Sequence, residues 1–240
     1  MSEQDVGPAP TPRRALWEPP PWLAALGYGL VGLLVVSVLQ GSGILRVYSV
    51  PSGSMQRTLA VGDRILISAL PYLQGGPARG DIVVFAHGDT WEDEARPPAS
   101  DPLVAAARTF GDLTGIGTSS RTFTVKRVIG VAGDTVACCD AEGRVTVDGV
   151  PLEEGYLHND FPFTPGTHDC TSSPRSARCF LPVRVPEGRL LVMGDHRSNS
   201  ADSVAACRGP VATDQCARLV DADRVSGRVF AKAWPPGPVG

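Results

Sequence analysis

Hydrophobic and polar positions follow two regimes along the chain. From Pro19 to Leu45 no residue is charged, and the run WLAALGYGLVGLLVVSVL from Trp22 to Leu39 has almost no polar stripe. That pattern predicts a helix of bilayer-spanning length rather than an amphipathic surface helix. The run continues through Gln40-Gly41-Ser42 into Ile44-Leu45 without the small-x-small site that follows a cleaved leader, so an uncleaved anchor is expected over 22–45. Beyond it the apolar pattern shortens into strand-like runs. These are Arg64 to Ser68, Asp81 to Ala86, Phe123 to Val131, Thr135 to Cys138, Arg144 to Val147, Arg189 to Met193 and Arg228 to Ala233. Gly-Asp, Gly-Arg and Asp-Gly steps punctuate them, and only a short helix over Leu103 to Phe110 is expected between them. The expected fold class is mostly β behind a single N-terminal transmembrane helix.

Two polar stretches, His87 to Thr122 and Asn159 to Pro186, interrupt the strands. Long irregular loops in compact domains are usually functional, stapled or mobile. The first 21 residues hold Pro8, Pro10, Pro12, Pro19, Pro20 and Pro21 and read as a disordered tail. With 240 residues, one main domain is the default.

A net charge of −3 and the lack of a basic cluster interleaved with aromatics exclude a nucleic-acid partner. Arg13 and Arg14 before the anchor nearly cancel Arg46 and Arg57 after it, so basic flanks alone do not orient it. All six cysteines (Cys138, Cys139, Cys170, Cys179, Cys207, Cys216) follow the anchor, as expected if that side is oxidising and the tail cytoplasmic. No C-x-x-C pair favours zinc, and adjacent Cys138 and Cys139 suit neither metal geometry nor a mutual bond. Short loops suggest Cys170 with Cys179 and Cys207 with Cys216, among the 15 pairings that six cysteines allow.

Three stretches can carry chemistry. Pro51-Ser52-Gly53-Ser54-Met55 places a serine after a glycine in a Pro-constrained turn, although an ordinary Pro-Ser-Gly turn has the same composition. No S-x-x-K or G-x-S-x-G pattern surrounds Ser54. Of His87, His158, His168 and His196, only His196 has a promising setting for a triad. In the apolar run TVKRVIGV, Lys126 and Arg127 face opposite sides of a strand, so at least one cation can point into the core. A base at neutral pH requires a lysine pKa several units below about 10.4, which desolvation can supply; a lysine that snorkels to solvent is the alternative. The polar run Gly194-Asp195-His196-Arg197-Ser198-Asn199-Ser200-Ala201-Asp202-Ser203 follows the strand at Arg189 to Met193.

Together these stretches resemble bacterial type I signal peptidase, the serine/lysine dyad family of leader peptidases. PSGSM is similar to its nucleophile box, RGDIVVF at Arg79 to Phe85 to a structural box, KRVIGVAGD to its lysine box and GDHRSNSADS to its last box, in the family's order. The resemblance implies a signal-peptidase or repressor-type β catalytic domain with a smaller inserted β excursion. The implied layout is a tail over 1–21, the anchor over 22–45, the catalytic domain over 46–134 and 189–234, the insert over 135–188 and a C-terminal tail over 235–240.

The resemblance also implies site roles. Ser54 is the nucleophile and Lys126 its general base; the Ser52 hydroxyl and the Ser54 N–H form the oxyanion hole. Ser200 orients the amine, Asp195 pairs with Arg127, and Asp202 supports the last box. Val50, Met55, Leu59 and Val125 wall shallow pockets for Ala-x-Ala segments of exported preproteins, bound as an added strand. No metal or cofactor is implied, and the lipid bilayer is the other partner. The expected location is the cell membrane, with the catalytic domain extracytoplasmic.

The chain departs from the family pattern at Ala132 and Arg57, where proline is usual, and at Val204, where an arginine normally follows Asp-Ser. Without that arginine, Asp202 requires another cation, and Arg197 or Arg208 is expected to supply it. A self-cleaving repressor-type Ser-Lys peptidase would share the dyad, but the anchor stands where its DNA-binding helices belong. A tethered pseudo-peptidase that binds exported chains without cutting them is the non-enzymatic alternative, supported by Val204 alone.

Overall fold

The computed structural model describes residues 20–41, 44–86, 91, 100–114, 123–208 and 216–239; most of the expected N-terminal tail lies outside them. The chain divides into two units, Met1–Val38 and Leu39–Gly240. Helix α1 spans Pro21–Gly41 and carries no charged residue. Trp22, Leu26, Tyr28, Leu30 and Leu34 are exposed on it, since a helix that is apolar all round has no polar face to turn outward. The anchor expected over 22–45 is longer than this helix, because Leu45 opens the first strand instead. Among the described residues, no helix is long and apolar enough to cross a membrane.

The rest is mostly β. Strands β1 (Leu45–Ser49), β2 (Arg64–Ser68) and β3 (Ile82–Ala86) precede helix α2 (Pro102–Thr114). Then come β4 (Phe123–Gly130), β5 (Thr135–Cys138), β6 (Val145–Val147), β7 (Val150–Pro151), β8 (Phe180–Arg184), β9 (Arg189–Met193), β10 (Val220–Asp221) and β11 (Val225–Trp234). A seven-stranded sheet runs β1-β2-β11-β3-β4-β9-β10, and a four-stranded sheet runs β7-β6-β5-β8. The polar stretch from Asn159 is not wholly irregular, since β8 forms inside it and pairs with β5.

Alternation explains the layering around the large sheet. On β3, Ile82 and Val84 join a core with Val50, Met55, Leu59, Ile65, Ile67, Val125 and Val229, whereas Val83 and Phe85 join another with Trp91, Val128, Leu190, Val192 and Val220. A third core runs from Ile129, Leu191 and Met193 to Val136, Val145, Val147 and Phe180 of the small sheet. Strand β4 lies between β3 and β9 with cores on both faces, so every residue from Val125 to Gly130 is buried. This is the strand that carries Lys126.

All six cysteines are paired: Cys170 with Cys179, Cys207 with Cys216, and Cys138 with its neighbour Cys139. The last pair overturns the expectation that adjacent cysteines would not bond. The Cys139, Cys170 and Cys179 sulfurs lie within 4.8 Å of one another, so the loop after Asn159 is stapled close to the end of β5.

At Gly130 the chain passes from the large sheet toward the small one, and an added Cβ would meet Val136 Cγ2 at 2.6 Å and Val185 Cγ2 at 3.2 Å. Both neighbours are buried and stiff at χ1. Gly130→Ala is expected to cost about 1–3 kcal/mol, the range for overpacking a core. A denaturant midpoint unchanged from the parent would contradict this packing.

Candidate active site

The loop after β1 is pinned at its ends, since Val50 N–H donates to Asp63 O at 2.8 Å and Gly62 N–H donates back to Val50 O at 2.9 Å. Between these bonds Gly53–Met55 makes one tight helical turn, and Ser54 emerges from it buried. A second turn follows, closed by Thr58 N–H to Met55 O at 3.1 Å, with Gln56 at φ −53° and ψ 149° and Arg57 at φ 81°. This is type II geometry, which needs a positive φ at its third residue. Proline is locked near φ −65° and could not stand there, so the departure at Arg57 and the backbone agree. The Arg57 head donates to Leu157 O at 3.0 Å.

Lys126 enters from the centre of β4, opposite Val83 of β3. It is 3% exposed, and its Nζ is hydrogen-bonded to Ser54 Oγ at 2.6 Å. It does not snorkel. Burial pulls the amine down to about 8, against the opposing pull of the Asp202 and Asp195 carboxylates, while Arg218 adds to the lowering. A neutral amine at this distance can accept the serine proton, the arrangement that activates a hydroxyl nucleophile.

The next residue on β4 faces the other way. Arg127 Nε and Nη2 donate to the two Asp195 carboxylate oxygens at 2.9 and 2.8 Å, with both side chains buried. Such a two-point bond to a carboxylate is the strong kind. Thr58 Oγ1 donates to Asp195 Oδ2 at 2.5 Å, so the loop that carries Ser54, β4 and the loop after β9 converge on one carboxylate. Beneath it, the Tyr156 ring lies 3.9 Å from the Arg127 guanidinium carbon and its hydroxyl donates to Glu154 Oε1, which is ion-paired with Arg197. Arg197 is therefore committed to Glu154. It is Arg208 that reaches Asp202, at 3.4 Å, with side-chain exposures of 7% and 0%.

Gly194 is required for the approach of the last loop. A Cβ there would come within 2.5 Å of Ser54 O and overlap the Ser200 hydroxyl. His196 N–H donates to Ser54 O at 3.0 Å, and its Nδ1 donates to Gln56 Oε1 at 2.8 Å. The imidazole is thus engaged by Gln56 rather than by the serine hydroxyl, and no triad is built on it.

An open cleft of about 620 Å³ is lined by Ser52, Ser54, Lys126 and Ser200 together with Val50, Met55 and Val125. Leu59, expected in the pocket wall, is not among the lining residues and is fully buried in the core cluster that also holds Val50, Met55 and Val125. Ser52 Oγ lies 3.3 Å from Ser54 Oγ. The Ser200 hydroxyl was expected to hold the lysine amine, but it is buried without a hydrogen-bond partner, the amine being directed at Ser54. Thr58, Tyr156, Glu154, Gln56 and Arg218 were not singled out from sequence. The need of a buried arginine for a buried acid is the one general signal that pointed toward a residue such as Glu154.

Residues 23–234 match the family model described as signal peptidase, peptidase S26. The chain belongs to this family. It is similar to a probable signal peptidase I of Mycobacterium leprae, at 35% identity over 95% of this chain and 79% of that one. It is 38% identical to signal peptidase I of Mycobacterium tuberculosis H37Rv over 80% of this chain, and spans 66% of that protein's length. Signal peptidase IB of Staphylococcus aureus Mu50 is 28% identical over 89% of this chain and 88% of its own. A crystal structure of a signal peptidase I from Enterococcus faecalis V583 aligns at a TM-score of 0.33 and 24% identity, covering 63% of this chain and 95% of that one.

For this S26 peptidase the pairing of Asp202 is open to a direct stability test. Arg208→Met leaves a buried carboxylate without its cation and is expected to lower unfolding stability by about 3 kcal/mol. Adding Asp202→Asn should recover part of that loss in a double-mutant cycle. A single variant as stable as the parent would contradict the pairing.

Proposed function

We propose that this S26 peptidase is a membrane-bound endopeptidase that removes signal peptides from exported preproteins, with Ser54 as nucleophile and Lys126 as general base. The observation that carries the reading is the 2.6 Å contact between Ser54 Oγ and a lysine amine buried on β4. In the proposed reaction Ser54 Oγ attacks the scissile carbonyl carbon while its proton passes to Lys126 Nζ. The oxyanion is held by the Ser54 N–H and the Ser52 hydroxyl, each donor contributing about 3 kcal/mol at the transition state. Collapse breaks the C–N bond, and Lys126 returns its proton to the leaving amine. Water then cleaves the acyl-serine, with the same lysine as base. Ser200 Oγ, buried and unpartnered beside them, is the group available to hold the amine once the serine proton has moved.

Val50, Met55 and Val125 offer an apolar wall suited to small side chains, consistent with Ala-x-Ala specificity. The uncharged run of sequence from Pro19 to Leu45 and the position of every cysteine after it support an anchor with its N-terminus in the cytoplasm and the catalytic part outside. The proposed layout keeps the catalytic domain at 46–134 and 189–234 with the insert at 135–188. The Arg208 guanidinium near Asp202 supports an intact last loop, and so favours cleavage over a tethered fold that only binds exported chains.

The test is cleavage of a preprotein by the detergent-solubilised full chain. The parent is expected to cut after a small-x-small segment, and Ser54→Ala and Lys126→Ala to lose at least about a thousandfold in rate. Because the lysine is pulled down to about 8, kcat/KM should rise with pH and level off above that value as the amine loses its proton. Undiminished cutting by Ser54→Ala, or a rate independent of pH between 6 and 9, would overturn the reading.

A further inference from the structure

Among the described residues lining the cleft, Lys126 and Arg218 are the charged ones. Arg218 belongs to none of the sequence boxes. It lies two residues before β10, and its placement is built from both sides. Its main-chain N–H donates to Ser203 O, in the last box, at 2.8 Å. Its guanidinium carbon sits 4.9 Å from the centre of the Trp91 ring, within the range of a cation–π contact. Trp91 is itself buried edge-on against Phe85 of β3 at 5.2 Å. Two residues before Arg218, Cys216 is bonded to Cys207, whose successor Arg208 pairs with Asp202. One disulfide therefore ties together the chain positions that present both arginines.

The charges around the Lys126 amine show what this cation can do. Asp195 and Asp202, both fully buried in the loop after β9, favour the charged ammonium. Arg127 engages Asp195 and Arg208 engages Asp202. From β3 the facing residue is Val83, which carries no charge. From the nucleophile loop the facing group is the Ser54 hydroxyl. Arg218 is the cation that shares the cleft with the amine, and it acts against the ammonium form.

We propose that Arg218, seated on Trp91, is a positioning residue for peptide cleavage, offsetting the field of Asp195 and Asp202 so that the Lys126 amine is available as a base. This rests on the Ser54–Lys126 reading. Arginine suits the role because its guanidinium stays charged at every working pH and stacks flat on an aromatic face.

The test is the pH profile of kcat/KM for the detergent-solubilised full chain on a small-x-small peptide substrate, comparing the parent with Arg218→Gln, Arg218→Lys and Trp91→Leu. For Arg218→Gln the acid-side midpoint should rise by about half to one pH unit, so that cleavage well below the midpoint falls roughly 3- to 10-fold. Above the plateau the rate should return to near the parent value. Arg218→Lys should restore most of the midpoint, and Trp91→Leu should move it in the same direction as Arg218→Gln by less. Should Arg218→Gln fail to fold, the Trp91→Leu and Arg218→Lys profiles decide. An unmoved midpoint overturns the proposal, including the case in which only KM rises, which would make Arg218 a substrate contact. Ser54→Ala and Lys126→Ala in the same assay separate this outcome from failure of the dyad, since their loss of activity does not depend on Arg218.

Discussion

The contact between Lys126 and Ser54 depends on a strand that is buried from Val125 to Gly130. On an edge strand, or on a sheet with one wet face, a lysine would extend its stem and leave its amine in water. Strand β4 denies it that route, with β3 and β9 on either edge and apolar clusters on both faces. Desolvation then disfavours the ammonium, and the nearest group able to satisfy the nitrogen is the Ser54 hydroxyl. The serine in turn is delivered by two consecutive turns, the second of which holds Arg57 in the left-handed region.

The same strand carries a second cation with the opposite treatment. Arg127 is buried as a charge and is matched by a two-point bond to Asp195, which also accepts from Thr58. Removing either partner would leave an uncompensated buried charge, which is far more costly than loss of a surface pair. Neighbouring residues thus divide the work. Arg127 locks β4 to the loop that carries Ser54 and to the last loop, whereas Lys126 makes no ion pair among the described residues and is hydrogen-bonded to the Ser54 hydroxyl. The chain from Arg127 through Tyr156 and Glu154 to Arg197 extends that lock into the segment that follows the small sheet's β7.

Much of the large sheet could be read from the sequence, because alternating runs between Gly and Asp steps have sharp ends; β2, β5 and β9 begin and end where the pattern does. Strand β1 was hidden by the apolar run that precedes it. Strand β8 was hidden by Pro182, which is tolerated because β8 is an edge strand paired only with β5. At the site, alternation separates Lys126 from Arg127, but nothing in a spacing of 72 residues brings Lys126 to Ser54; that link came from the order of the boxes. Depth was also illegible, so Leu59 fell into the core rather than the cleft wall. The choice between Arg197 and Arg208 for Asp202 turned on Glu154, a residue that no local pattern ties to either. Arg218 and Trp91 meet across separate loops, and sequence offers no periodicity for such a contact.

The central claim is that burial leaves the Lys126 amine uncharged within the working pH range. The chain has only two lysines, Lys126 and Lys232, so the amine can be observed directly by NMR titration of full-length protein labelled at lysine Nζ. A Lys126→Met variant would assign the two signals. The account predicts that the Lys126 signal titrates near 8, and that it changes when Ser54 is replaced by alanine. A Lys126 signal that stays protonated up to the ordinary lysine range of about 10.4 would contradict it.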